Sequence, residues 1–311
     1  SEQDTLVKHY EYLNEKFYKK VGVNRSIDTY KRYCVALNHL KNFLQKKYKV
    51  NDMSFQALNP TFVKAFDLYL RADLKMSCHT IVSIVARLHL VIKSAIDNGL
   101  LRQDPFMDYK YITKPLVARC LSEKEFNLIL KTHLPKDNMN LVRDVFVFSC
   151  MTGLAFSDLR NLTLGHLRQA EDGVWWIYTA RKKTGTPCHI PLMELPLQLI
   201  KKYDGISDKG RLFPMLSCSK TNINLKKIAK TCGIDRRITF HMARHTYASL
   251  ITLSQGVPMD TVRELLGHRD WRSTRIYAHL TQEKIGADMG DLQSRIGEKF
   301  ILSDNMKKEE L

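Results

Sequence analysis

The sequence predicts a mainly α protein in two parts: an all-helical N-terminal domain, and a mixed α/β domain that is mostly helical with one small antiparallel sheet. Three observations predict it. Apolar residues recur at three- and four-residue intervals through the first third, a proline-punctuated basic stretch then breaks that period, and a single β-like stretch lies among the helical patterns that follow. With 311 residues, each part is long enough to bury its own core.

The elements follow in order. An opening helical segment near residues 4–21 precedes "SIDTYKRYCVALNHLKNFLQKKY", where Tyr30, Tyr33, Leu37, Leu40 and Leu44 form an apolar stripe and Ser26 and Asp28 give start signals. A third helix begins after Asn59-Pro60 and carries Phe62, Phe66, Tyr69 and Leu70; a fourth, "SCHTIVSIVARLHLVIKSAIDNG", stops at Gly99. These make a helical bundle over residues 1–104. Residues 105–119, interrupted by Pro105 and Pro115, read as an interdomain linker. The second domain, residues 120–290, opens at "LSEKEF": Ser122 caps, Glu125 reciprocates, and Leu121 and Phe126 form the hydrophobic staple. "VWWIYTA", the turn "RKKTGTP" and "CHIPL" make the β region, and helices return with "HMARHTYASLITLSQ" and "MDTVRELLGH". Residues 291–311 are left as a C-terminal tail.

Charge points to the partner. Lys and Arg number 49 against 32 Asp and Glu, a net charge of +17. Residues 1–115 hold 19 basic and 11 acidic side chains and the remainder 30 and 21, so both parts are positive, as expected of a protein that grips a polyanion from two sides. No single basic tail accounts for it, since the final "KKEEL" nearly cancels. Nucleic acid is the indicated partner, although charge alone does not separate DNA from RNA. Seven scattered cysteines with no CxxC pair fit reduced, cytoplasmic thiols rather than disulfides or a zinc site. The start is not a secretory signal and no apolar run suggests a membrane span.

The chemistry centres on "LLGHRDWRSTRIYAHL". Tyr277 there is either a buried aromatic on an amphipathic helix or a nucleophile. A phenol, with pKa near about 10, needs a proton acceptor and a positive field to attack a phosphodiester. Arginine forks suit the non-bridging oxygens of the five-coordinate phosphorus, and the departing deoxyribose oxygen needs a general acid. The chain offers each part. His241 and Arg244 in "HMAR" share a helix face, His268 follows Gly267 where a helix stops, and Lys183 lies in the turn after "VWWIYTA". Each alone has an ordinary alternative in a salt bridge, a core aromatic or a solvated turn; their occurrence in order on a basic two-domain chain argues against coincidence.

The order Lys183, "HMARHT", "LLGH", Tyr277 resembles the tyrosine recombinase (phage integrase) family, particularly integrases of conjugative transposons and other mobile elements. The resemblance covers nearly the whole chain. It implies a SAM-like core-DNA-binding domain followed by a tyrosine-recombinase catalytic domain, the two closing on DNA as a clamp. It implies Lys183 as general acid, His241 and Arg244 as the HxxR box, His268 as the second histidine, and Tyr277 as the group that forms a 3′-phosphotyrosyl bond. His245 and His279 fall outside the motif positions and read as structural. The covalent link conserves bond energy, so neither cofactor, metal nor ATP is expected. Expected partners are double-stranded DNA, further copies of the chain in a tetramer on DNA, and accessory DNA-bending proteins, in a cytoplasmic, nucleoid-associated setting with no membrane. The segment after Tyr277 resembles a tail passed to a neighbouring protomer, with Phe300, Ile301 and Leu302 as its anchor. A type IB topoisomerase-like nicking-closing enzyme and a DNA-binding protein with decayed catalysis are the alternatives.

One position departs from the family. Its first catalytic arginine follows "TGL", where this chain has Ala155 in "CMTGLAFSDLRNL". Arg160, five positions on, lies about 140° around a helix and should face elsewhere. Arg181 precedes Lys183 by two, so on a continuing strand both would share a face; Arg181 is the expected substitute.

Overall fold

The computed structural model describes residues 5–113, 119–207, 210–277 and 282–296. The chain divides into two compact units, Ser1–Pro115 and Leu116–Leu311.

The first unit is built from four helices: α1 (Leu6–Tyr18), α2 (Ile27–Tyr48), α3 (Pro60–Leu68), which continues as a π turn over Tyr69–Asp73, and α4 (Cys78–Asp97). Ser26 accepts from the Thr29 amide and Asn59 from that of Phe62, with Pro60 beginning α3, where its missing N–H costs nothing. Helix α1 has no cap of its own; the Asp52 carboxylate, from a loop far along the chain, accepts from the Val7 amide at 2.7 Å. The α2 stripe buries Leu37, Leu40 and Leu44 as expected, around Phe43. Helix α4 is long and apolar enough by composition to cross a membrane, which the sequence reading overlooked, but Ile81, Ile84, Leu88, Val91 and Ile92 are buried in this unit's core. The expected linker begins later than Pro105, because Phe106 is buried in the same core and the Tyr109 hydroxyl donates to Asp67 at 2.7 Å.

In the second unit the capping box forms as predicted, with Ser122 and Glu125 starting α5 (Glu123–Lys131) and Leu121 and Phe126 buried beneath it. The central element is α6 (Asp137–Thr152), whose Phe146 and Phe148 are fully buried; a one-turn helix, α7 (Phe156–Leu159), follows it. The sheet has three antiparallel strands in the order β1 (Leu167–Gln169), β2 (Trp175–Ala180), β3 (Pro187–Pro191), one more than the sequence suggests, because β1 is too short for periodicity to mark. Ile177 pairs with Leu167 and Ile190, and the face carrying Ile177, Cys188 and Ile190 turns inward. Then come α8 (Glu194–Lys202), α9 (Cys218–Thr231) and α10 (His241–Thr246). The helix predicted through "HMARHTYASLITLSQ" is not uniform. After α10 it widens to a π turn over Tyr247–Thr252 and tightens to 3₁₀ over Leu253–Gln255. Helices α11 (Met259–Leu266), α12 (Arg272–Arg275) and α13 (Gln282–Ile296) complete the unit. His279, Phe300, Ile301 and Leu302 lie outside the described residues. All seven cysteines are free thiols, but only Cys150, Cys188 and Cys232 are buried.

Candidate active site

Arg244 is the floor of the site. It is buried, and its guanidinium donates from Nη1 to the Gly153 carbonyl at 2.7 Å and from Nη2 to the Leu266 carbonyl. Gly153 caps the C-terminus of α6 and Leu266 is the last residue of α11, so the cation sits on the negative ends of two helices and occupies carbonyls that have no partner within those helices. Burial, and then the nearby charge of Arg181, lower its pKa to about 10. Gly153 adopts φ +70°, and a Cβ there would come within 2.5 Å of the Tyr247 ring, so the glycine of "TGL" lets α6 end against the helix that carries Arg244.

Tyr277 follows α12 and is 6% exposed, in a small cluster with Tyr247, Val262 and Leu266. Its hydroxyl does not point into hydrocarbon. The oxygen is 2.9 Å from Nδ1 of His245, and the His268 ring lies parallel to the phenol with centroids 6.4 Å apart. Burial raises the Tyr277 pKa while the positive fields of Arg244 and Arg181 lower it. His268 is held by Thr274, with Nδ1 to Oγ1 at 2.8 Å, and burial with the charges of Arg244 and Arg181 brings its pKa to about 4. His241, at the start of α10, meets His245 edge-on at 4.5 Å. It is exposed to solvent as a residue, yet partial desolvation of the ring, then Arg244, Arg181 and Lys183, lower its pKa as well. Neutral imidazoles thus surround one buried arginine.

The hairpin brings Arg181 and Lys183, but not by strand alternation. Strand β2 ends at Ala180, and the Arg181 carbonyl accepts from the Gly185 amide, so both residues lie in the turn. What places Arg181 is Asp158, fully buried in side chain, which accepts from Arg181 Nη1 at 2.5 Å and from the Lys182 amide at 3.0 Å. Lys183 stays exposed, within electrostatic reach of His241. Gly267, at φ +58°, lies under the hairpin; a Cβ there would overlap the Cys188 sulfur and come within 2.8 Å of Arg181 Cγ. Gly267→Ala is therefore expected to lower stability by about 1–3 kcal/mol, read by thermal unfolding, from left-handed strain and overpacking together.

Ala155 caps α7 and lines a cavity of about 370 Å³ with Phe156, Asn222, His241 and Arg244. The departure from the family pattern thus opens space on the wall beside the catalytic candidates. Arg160 is exposed. Two residues of this site escaped the sequence reading. His245, read as structural, touches the Tyr277 oxygen, and Asp158 anchors the hairpin. The i, i+4 spacing of His241 and His245 was the available signal for the first; nothing local marks the second.

A mainly helical two-unit chain that gathers an arginine, three histidines and a tyrosine hydroxyl beside a basic hairpin has the layout of a phosphoryl-transfer site. The chain belongs to the phage integrase family. The model of that family matches residues 119–284, and that of the phage integrase SAM-like domain residues 5–111. It is 24% identical over 184 residues to tyrosine recombinase XerD of Halalkalibacterium halodurans, covering 54% of this chain and 60% of that protein. It is 28% identical over 202 residues to tyrosine recombinase XerC of Neisseria meningitidis serogroup B, covering 61% and 65%. The matches therefore span less than two thirds of the length of these relatives. In fold it is similar to the Tn1549 transposon integrase solved with circular intermediate DNA (TM-score 0.69, 17% identity, 93% of this chain and 99% of that one). It is also similar to a lambda integrase solved as a tetramer on a Holliday junction (TM-score 0.70, 15% identity, 89% and 79%).

Proposed function

We propose that this chain is a site-specific DNA recombinase that cuts and rejoins double-stranded DNA through a 3′-phosphotyrosyl link on Tyr277, as the integrase of a mobile element. The observation that carries the reading is the Tyr277 hydroxyl, held in contact with His245 and inside the fields of Arg244 and Arg181. Among the described residues Arg244 spends two of its five N–H groups on carbonyls, leaving three for a phosphate. His241 and His268 would donate to or position the non-bridging oxygens, and Lys183, a long exposed side chain, suits protonation of the departing 5′ oxygen. The positive charge of both parts of the sequence supports a duplex partner, and binding should weaken steeply with salt. The lambda integrase tetramer supports assembly of four copies on DNA; DNA-bending proteins are the remaining expected partners, and a DNA substrate places the protein in the cytoplasm.

Arg181 takes the place of the arginine missing at 155. The hairpin aims its charge at Tyr277, His268 and His241, and Asp158 fixes the guanidinium from behind. Arg181→Ala is expected to reduce single-turnover cleavage on the order of 10²–10³-fold with DNA affinity nearly intact. Adding Ala155→Arg, which has a cavity to enter, should restore part of the loss. Cleavage by Arg181→Ala at the parent rate would remove Arg181 from the site.

The decisive experiment uses a suicide DNA carrying a nick beside the cleavage site, so that the covalent complex cannot reseal. The parent protein should form an adduct that survives denaturation. Ala155 favours the opposing view of a DNA-binding protein with decayed catalysis, and absence of any adduct would establish it. Relaxation of supercoils without recombinant products would instead identify a nicking-closing enzyme.

A further inference from the structure

His245 has no place in the family motif, yet it is the group nearest the reacting oxygen. Its Nδ1 lies 2.9 Å from Tyr277 Oη, closer than any other imidazole nitrogen is shown to come. The other two imidazoles make different contacts: His268 Nδ1 bonds Thr274, its ring parallel to the phenol with centroids 6.4 Å apart, and the His241 ring meets that of His245. We propose that His245 takes the phenol proton of Tyr277 as that oxygen attacks phosphorus, and returns it on rejoining. The inference rests on the cleavage reading above.

The step balances. The Oη–P bond forms, the bond from phosphorus to the 5′ oxygen breaks, the phenol proton moves to Nδ1 of His245, and the 5′ oxygen takes a proton from Lys183. Proton transfer uses the tautomer in which the Tyr277 hydroxyl donates to Nδ1 of His245. For Nδ1 to accept, the imidazole must be neutral with its proton on Nε2, and burial, then His241 and Arg244, favour the neutral ring. The groups facing the phenol are His245 and Arg244 from α10, His268 after α11 and Arg181 from the hairpin. Both cations favour the phenolate, and Arg244 together with burial disfavours a positive charge on His245. A phosphodiester anion would offset the field of Arg244 at His245 and so favour the imidazolium, which couples the transfer to substrate binding.

The test measures adduct formation on the suicide DNA between pH 7 and 9.5 for the parent, His245→Ala and His245→Asn. Asparagine can place a polar atom near the position of Nδ1 but cannot take up a proton. At pH 7 both variants should be slower than the parent by about 10² or more. The deficit should shrink as pH rises, because solvent then ionises more of Tyr277 without help, even though burial holds its pKa above that of a free phenol. A parent rate in either variant, or a deficit that stays constant with pH, would overturn the assignment; the latter would mark His245 as a packing residue. Thermal unfolding and DNA affinity accompany each variant, and if the alanine protein does not fold, the asparagine profile alone decides. A parent that forms no adduct would defeat the cleavage reading itself, an outcome separable from variants that match an active parent.

Discussion

Tyr277→Phe is expected to abolish the covalent adduct on suicide DNA while leaving a folded protein that binds DNA as the parent does. The substitution removes one oxygen and nothing else. The ring keeps its place among Tyr247, Val262 and Leu266, so the cost in stability is that of the hydrogen bond to His245, about 1 kcal/mol. The phenol is neutral at pH 7, with burial raising its pKa, so no phosphate attraction is lost with it. The result should be read on a denaturing gel beside a salt titration of binding. An adduct on the phenylalanine protein would assign the nucleophile elsewhere and remove the basis of the proposed mechanism.

Arg244→Lys should be nearly as damaging, although it keeps the charge. A single ammonium cannot span the Gly153 and Leu266 carbonyls and still offer a planar pair of donors to a phosphate. Loss of oriented transition-state donors of this kind costs on the order of 10²–10³-fold in rate. A carbonyl left buried without a partner adds about 1–3 kcal/mol of instability. Single-turnover cleavage should therefore fall together with the unfolding temperature, in contrast to Tyr277→Phe, where rate and stability separate. A lysine variant that cleaves at the parent rate would show that charge alone is what position 244 supplies.

Much of this was legible in the sequence because it depends on local pattern. The caps at Ser26, Asn59 and Ser122, the stripe of α2 and the glycine stops are set by neighbours in the chain, and the structure follows them. The motif residues His241, Arg244, His268 and Tyr277 were legible through resemblance, and the fold brings them together. What escaped depends on contacts across the fold. Strand β1 is three residues long, too short for a period. Arg181 was expected to reach the site along a strand that in fact ends one residue earlier; a buried carboxylate 23 positions away does the aiming. His245 looked redundant beside His241, and only the packing of the segment after α12 against α10 shows which imidazole meets the phenol.

The seat of Arg244 separates two kinds of charge in this protein. The proposed substitute for the cation absent at 155 comes from the hairpin, and its guanidinium is held by a single carboxylate, Asp158. The guanidinium at 244 fastens the tails of α6 and α11 together, so a replacement arriving from elsewhere would leave those two tails unjoined.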